Sequence, residues 1–183
     1  MSHRQKQSRP EVDHLSRMGE ANQEAANFYY FAYGSCMCPV DLKRSLLEDT
    51  QDYLVGKATL EGYRLGFYRK SKLRNCGVLD IVPDSNNYVE GVLYKLPWRL
   101  SDRLDQREEV PENGYKRELI KVKSEDRHYN QVRTYVVVNK LEQEIAPNEW
   151  YTQVVLRGAV SSGLSKEYYW NLFNHIQKLQ MRA

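Results

Sequence analysis

Long hydrophobic runs are missing from this 183-residue chain. No apolar stretch approaches the roughly 20 residues that a bilayer-crossing helix needs, so no membrane partner is expected. A cysteine framework is missing too: Cys36, Cys38 and Cys76 are an odd number without regular spacing, which argues against a disulfide-stapled secreted fold and predicts reduced thiols. Cys36 and Cys38 stand as CxC rather than CxxC, and His3, His14, His128 and His175 show no paired ligand spacing, so a zinc centre has little support. Charge of one sign is scarce as well. Twenty-seven basic against 24 acidic residues leave a net charge of +3, and the basic residues are scattered rather than striped, so no nucleic-acid partner is expected. The first residues carry no apolar core of the kind a secretory signal needs, and a cytoplasmic location is the resulting expectation.

What is present reads as a globular protein, with 41% hydrophobic and 28% charged residues. The length suffices for one well-buried core, and two full domains would leave each half small. Residues 1–27 are rich in Gln, Arg, Ser and Glu without a sustained apolar face, so they bury too little surface to offset their ordering entropy and read as a mobile arm. Its basic residues Arg4, Lys6, Arg9 and Arg17 are matched by Glu11, Asp13, Glu20 and Glu24, which speaks against a nucleic-acid tail. The folded domain is expected over residues 28–183, with no internal repeat.

From Phe28 on, the pattern predicts a strand over Phe28 to Tyr33 and a short helix opened by Pro39 and running through Leu42, Leu46 and Leu47. Tyr53 to Leu60, Tyr63 to Tyr68, Cys76 to Val82 and Tyr88 to Leu96 are β-branched and aromatic runs separated by Gly, Asn, Asp or Pro, and read as strands. A brief helix from Trp98 to about Arg107 follows Pro97, then a hairpin of Tyr115 to Lys123 with Gln131 to Val138, and a polar stretch from Asn139 to Asn148. Two helices close the chain, Glu149 to Ser161 and Lys166 to Met181, with Gly163 as a stop and Ser165 as an N-cap. Tyr169, Leu172, Phe173, Ile176 and Leu179 fall at helical spacing and should cover the sheet. Strands in the middle with helices at the edges make this an α+β chain.

Two segments carry chemistry. Tyr33-Gly34-Ser35-Cys36 takes a buried strand directly into a small-residue turn, a geometry that exposes backbone N–H groups and can hold an anion; the alternative is a tight turn and nothing more. On the Trp98 helix, Leu100 and Leu104 are four apart and Glu108 is the next member of that row. Four-residue steps advance about 40° around a helix, so Glu108 stays on the core-facing side while Glu109 points roughly opposite to Leu100. A half-buried carboxylate without a nearby cation has a raised pKa, which suits proton transfer. The competing reading is a helix-end surface acid paired with Arg107 or Lys116. Glu109, Glu112, Asp102 and Asp105 read as solvated surface.

These segments together resemble the gamma-glutamylcyclotransferase-like (AIG2-like) family, whose members open with a strand and a Tyr-Gly-Ser-Asn type loop, here Tyr33-Gly34-Ser35-Cys36. The family's Leu-Asp-x-x-Glu-Gly-Val segment with a following Gly-Tyr is similar to Leu104-Asp105-Gln106-Arg107-Glu108-Glu109-Val110 with Gly114-Tyr115. Gly158-Ala159, Gly163-Leu164 and Glu167-Tyr168 resemble its C-terminal Gly-Ala, Gly-Leu-Pro and Glu-Tyr pattern, with Ser165 where Pro is usual. Cys36 stands for a frequent Asn and Glu109 for Gly.

The resemblance implies a small curved or closed mixed β-barrel with flanking helices. It implies conversion of a small-molecule gamma-glutamyl substrate to 5-oxoproline and a free amine by attack of the substrate's own α-amine, with no cofactor. Glu108 would be the catalytic acid/base, and Tyr33, Gly34, Ser35, Cys36 and Tyr115 the substrate-binding residues, the tyrosines as pocket walls or hydroxyl donors. The released amine stays open: glutathione, a gamma-glutamyl amino acid, an isopeptide and a gamma-glutamylated metabolite all fit. Two other readings compete: Cys36 as a nucleophile activated by His175, and a non-catalytic binding module on the same fold, favoured by Cys36 and Glu109.

Overall fold

Side chains that alternate across a pleat need a second apolar layer, and five strands supply it here by curling into a closed barrel. The computed structural model describes residues 26–182, so the arm expected over 1–27 lies outside the described residues except for Ala26 and Asn27. Those two are tied down: Ala26 O accepts from the Trp98 N–H at 2.8 Å, and Asn27 pairs with Pro97. In chain order the elements are β1 (Asn27–Ala32), α1 (Pro39–Leu46), β2 (Leu54–Ser71), β3 (Cys76–Pro97), α2 (Ser101–Arg107), β4 (Tyr115–Ser124), β5 (Arg127–Val137), α3 (Glu149–Ser161) and α4 (Lys166–Gln180). Single 3-10 turns cover Ser35–Met37, Gln51–Tyr53 and Trp98–Leu100.

The strand order is β1-β3-β2-β4-β5, and β1 closes the ring on β5 through a parallel contact, Tyr30 with Arg133. Every other pair is antiparallel, which makes the barrel mixed as expected. The four middle strands read from the sequence are in fact two long ones. Turn residues that look like strand ends form bulges instead: the β2–β3 register shifts between Glu61 and Tyr63 around Gly62 (φ 78°), and residues 84–87 lie between the registered partners Pro83 and Tyr88. A bulge bends a strand and strengthens its twist without ending it, which is what a narrow barrel requires. Residues 139–148 run along the barrel, with the Leu141 and Ile145 N–H groups donating to the Tyr68 and Phe67 carbonyls and Gly77 N–H to Ala146 O.

Phe31, Phe67, Leu60, Leu79, Ile81, Leu93 and Leu96 are almost wholly buried, each contributing about 1.5–3 kcal/mol of burial. Among the helices, α3 matches its expected span, and α4 its start at Lys166, its Ser165 cap (accepting from Tyr168 N–H at 3.2 Å) and the Gly163 stop (φ 68°). Two details differ. Leu47 is left-handed (φ 54°) and exposed, because α1 ends at Leu46 and the chain turns outward. The buried row of α4 is Tyr168, Leu172 and Ile176, while Phe173 is half-buried against the Trp170 ring. An i, i+4 row drifts around the helix, and the barrel meets it one residue earlier than an estimate starting at Tyr169 allows.

Gly158 shows how the C-terminal helices serve the loop after β1. A Cβ there would lie 2.8 Å from Cys38 N and 3.0 Å from the Met37 Cβ, so only a glycine lets α3 press onto the Ser35–Met37 turn.

Candidate active site

The strand–loop segment and the end of α2 converge on one cleft, of about 500 Å³ including its open mouth. Its wall contains Tyr30, Tyr33, Gly34, Ser35 and Cys36 from one side and Arg107, Glu108 and Glu109 from the other. Leu100 and Leu104 are fully buried beneath α2, and the Glu108 N–H still bonds to Leu104 O at 3.0 Å. The helical row therefore survives one residue past the helix, to its C-cap, and keeps Glu108 on the inner side as the spacing predicts. The Cys36 Sγ donates to Glu108 Oε1 at 3.5 Å, and no cation lies within ion-pair reach of this carboxylate among the described residues.

Arg107 and Lys116, weighed above as partners of Glu108, are engaged elsewhere. Arg107 Nη2 bonds to Ser35 Oγ at 2.5 Å and Asp41 Oδ2 at 3.0 Å, and Lys116 Nζ lies 3.8 Å from Glu118. Glu109 is not solvated surface. Its left-handed backbone (φ 52°) turns the chain so that its carboxylate lines the cleft and pairs with Arg69, whose guanidinium lies 4.9 Å from the Tyr115 ring centre. Helix geometry alone cannot foresee this, because the helix has already ended. A Cβ at Gly114 would come within 2.6 Å of Arg69 Nη2, so the Gly-Tyr pair leaves room for that ion pair. Asp105 also departs from the surface reading: it accepts from the Tyr135 hydroxyl at 2.7 Å and pairs with Arg117.

The tyrosines form a buried wall. Tyr33 Oη donates to Tyr135 O at 2.6 Å, Tyr115 Oη donates to Leu79 O at 2.8 Å, and Tyr151 Oη accepts from Leu79 N–H at 3.2 Å. Burial pushes the Tyr33 and Tyr115 hydroxyls well above the usual tyrosine range. Both residues line the cleft, and each hydroxyl proton is engaged by a barrel carbonyl.

Gly34 sits at φ −121°, so the loop needs no left-handed residue there. The turn it opens has its first internal bond from Met37 N–H to Gly34 O at 3.0 Å, which leaves the Ser35 and Cys36 N–H groups ahead of the hydrogen-bonded series. Burial pushes the Cys36 thiol up to about 12, against the pull of the Arg107 guanidinium. A thiol so protonated is a poor nucleophile. Its proposed activator is elsewhere: His175 Nε2 lies 2.9 Å from Glu144 Oε1, and its ring packs edge-on against Phe67. Neither observation supports the cysteine-nucleophile reading. All three cysteines are free and buried.

The structure brings Tyr33, Gly34, Ser35, Cys36, Glu108 and Tyr115 into one cleft. It adds Tyr30, Arg69, Arg74, Arg107, Tyr135 and Tyr151, which sequence reasoning missed. Arg107 had a signal, standing beside Glu108 in the same motif. Arg74, in the β2–β3 turn, had none.

Residues 88–172 match the model of the AIG2-like family. YkqA of Bacillus subtilis, a candidate gamma-glutamylcyclotransferase, is 34% identical over 151 residues, or 82% of this chain and 53% of that protein. This chain thus spans about half the length of that relative. The YkqA crystal structure matches with a TM-score of 0.78 at 31% identity over 89% of this chain and 59% of its own. The gamma-glutamylcyclotransferase of Mus musculus is 28% identical over 154 residues, covering 82% of this chain and 79% of the mouse protein. A solved gamma-glutamyl cyclotransferase at 23% identity shares the fold, with a TM-score of 0.72 over 80% of this chain and 86% of that one.

Proposed function

The chain belongs to the AIG2-like, gamma-glutamylcyclotransferase-type family, and on that footing we propose that it converts a gamma-glutamyl amine, amino acid or peptide to 5-oxoproline and a free amine, with Glu108 as general acid/base. The observation that carries this reading is the carboxylate of Glu108 on the inner side of a tyrosine-walled cleft shared with the Ser35–Cys36 turn, hydrogen-bonded only to a thiol among the described residues. An acid with no ion-pair partner within 4 Å among the described residues can accept a proton and give it back.

The substrate carries its own nucleophile. Glu108 takes a proton from the α-ammonium, the freed amine attacks the side-chain carbonyl carbon, and the C–N bond to the leaving amine breaks as Glu108 returns that proton to its nitrogen; the second proton lost by the ring nitrogen also ends on the released amine, which departs as an ammonium. No water is consumed and no protein bond is formed. The protein's part is to fold the glutamyl chain into a near-attack shape between flat aromatic walls and to shuttle protons between the two nitrogens. The Ser35 and Cys36 N–H groups are placed to bind negative charge on the substrate, either its carboxylate or the oxyanion developing at the attacked carbonyl. Cys36 serves as a neutral donor to Glu108, which is consistent with its high pKa.

The test is release of 5-oxoproline from a panel of gamma-glutamyl compounds by the wild-type protein and by Glu108→Gln. Product from the wild type, lost in a folded Glu108→Gln variant, is the expected result. Equal turnover by the two proteins overturns the role of Glu108. Donors that raise the melting temperature without yielding product identify a non-catalytic binding module instead.

A further inference from the structure

The cleft wall carries two arginines that the acid/base chemistry does not use. Arg69 is matched by Glu109. Arg74 and Arg107 share a single counter-ion: Arg107 Nη2 lies 3.0 Å and Arg74 Nη2 3.6 Å from the same oxygen, Asp41 Oδ2. All three side chains are about seven-eighths buried, with relative exposures of 14% for Arg74, 12% for Arg107 and 12% for Asp41. Arg74 is held in place by the Trp150 and Tyr151 rings, 5.5 and 5.3 Å from its guanidinium carbon. The Nε atoms of both arginines are shut off from solvent and have no hydrogen-bond partner among the described residues. Two guanidiniums that line the cleft and share one carboxylate oxygen have more N–H donors than that oxygen can serve, and so form an incomplete anion site. Burial of a cation is tolerated when opposite charge and acceptors complete its shell.

We propose that Arg74 and Arg107, supported by Asp41 and Ser35, bind a carboxylate of the substrate. This deepens the cyclotransferase reading and rests on it for the substrate class. A guanidinium pair suits a carboxylate because its N–H donors match the two acceptor oxygens. A gamma-glutamyl compound offers two sources, the α-carboxylate of the glutamyl group and a carboxylate on the released amine. Arg107 adjoins Glu108 in the chain and touches Ser35, so a carboxylate on the arginines and an α-ammonium at Glu108 would together grip the two charged groups on one α-carbon.

The site can be tested without turnover, by calorimetric titration on a Glu108→Gln background. Arg74→Gln is the informative change, since it leaves the Arg107–Asp41 pair in place, and Arg74→Lys tests charge without the planar fork. 5-Oxoproline is expected to bind more tightly than its neutral carboxamide, and Arg74→Gln to lose about ten- to a hundredfold in affinity for the acid alone, the range for one charge-assisted hydrogen bond. Arg74→Lys should recover part of that loss. If Arg74→Gln instead weakens gamma-glutamylalanine but neither gamma-glutamyl-methylamide nor 5-oxoproline, the site stands and takes the carboxylate of the released amine. Equal binding of acid and carboxamide, together with no effect of Arg74→Gln on gamma-glutamylalanine, overturns the site. Release of 5-oxoproline by the wild type is measured separately, so failure of the carboxylate site and failure of the cyclotransferase reading give different results.

Discussion

Two regions of this molecule hold partly buried acids, and they treat them in opposite ways. Beneath α4, Glu144 accepts from the Phe67 N–H at 2.9 Å and lies within 2.9 Å of His175 Nε2, while Glu90 accepts from the Ser165 N–H at 2.7 Å. Each of these carboxylates joins one segment of chain to another and has fixed partners. In the cleft, Glu108 has only a thiol within hydrogen-bond reach among the described residues, at 3.5 Å, and the Nε donors of Arg74 and Arg107 in the same wall have no partner among them. A saturated acid stabilises a fold. An acid left with spare acceptor capacity beside spare donors costs stability, and a site that binds and releases a charged molecule repays that cost in function.

The largest effect that would test this contrast is on turnover. Glu108→Gln should lower kcat for 5-oxoproline release by about 10²- to 10⁴-fold, the usual contribution of a general acid/base, with little change in melting temperature. A large loss of stability in that variant would mean that Glu108 belongs with the structural acids. Leu104→Ala removes the fully buried side chain one turn before Glu108 and should cost about 2–5 kcal/mol in denaturant unfolding, dragging activity down with the folded fraction.

Glu144→Gln should show the reverse of Glu108→Gln: a loss of about 1–2 kcal/mol for weakened hydrogen bonds, with turnover per folded molecule unchanged. Burial opposes ionisation of Glu144, but the His175 and Phe67 hydrogen bonds outweigh it and hold the carboxyl below its ordinary 4.5. Its folded-state pKa is therefore below the unfolded one, so its contribution is whole above about pH 4.5 and fades as pH falls through the folded-state value. Urea unfolding of wild type and Glu144→Gln should converge below that range, and a gap that widens on acidification would contradict the assignment. The smallest effect is expected at Cys36. Cys36→Ser keeps a neutral donor near Glu108 and should change kcat by less than about tenfold, whereas a true nucleophile would lose far more.

Much of this contrast was legible in the chain before any tertiary contact was known. The strand into Tyr33-Gly34-Ser35-Cys36 and the four-residue step from Leu100 through Leu104 to Glu108 are local patterns, and local geometry carries them. The Ser165 cap and the Gly163 stop are equally local, since each depends on backbone groups within a turn. The errors fall where local rules end. Gly62 and residues 84–87 look like strand breaks, yet a barrel absorbs them as bulges. Glu109 follows the C-cap residue Glu108, beyond the helix, so its direction is set by the left-handed turn and by Arg69, 40 positions away in sequence.

The sequence by itself determined where β and helical stretches fall, the inner face of α2 and thereby the acid at its end, because hydrophobic periodicity and capping act over a few residues. Tertiary structure alone decided which charges meet. Asp41, Arg74 and Arg107 come from three separate elements, and nothing in their spacing ties them together until the closed barrel and α1 bring them around one carboxylate oxygen. Coulomb interactions and hydrogen bonds depend on distance in space, so a cluster of this kind exists only once the chain has folded.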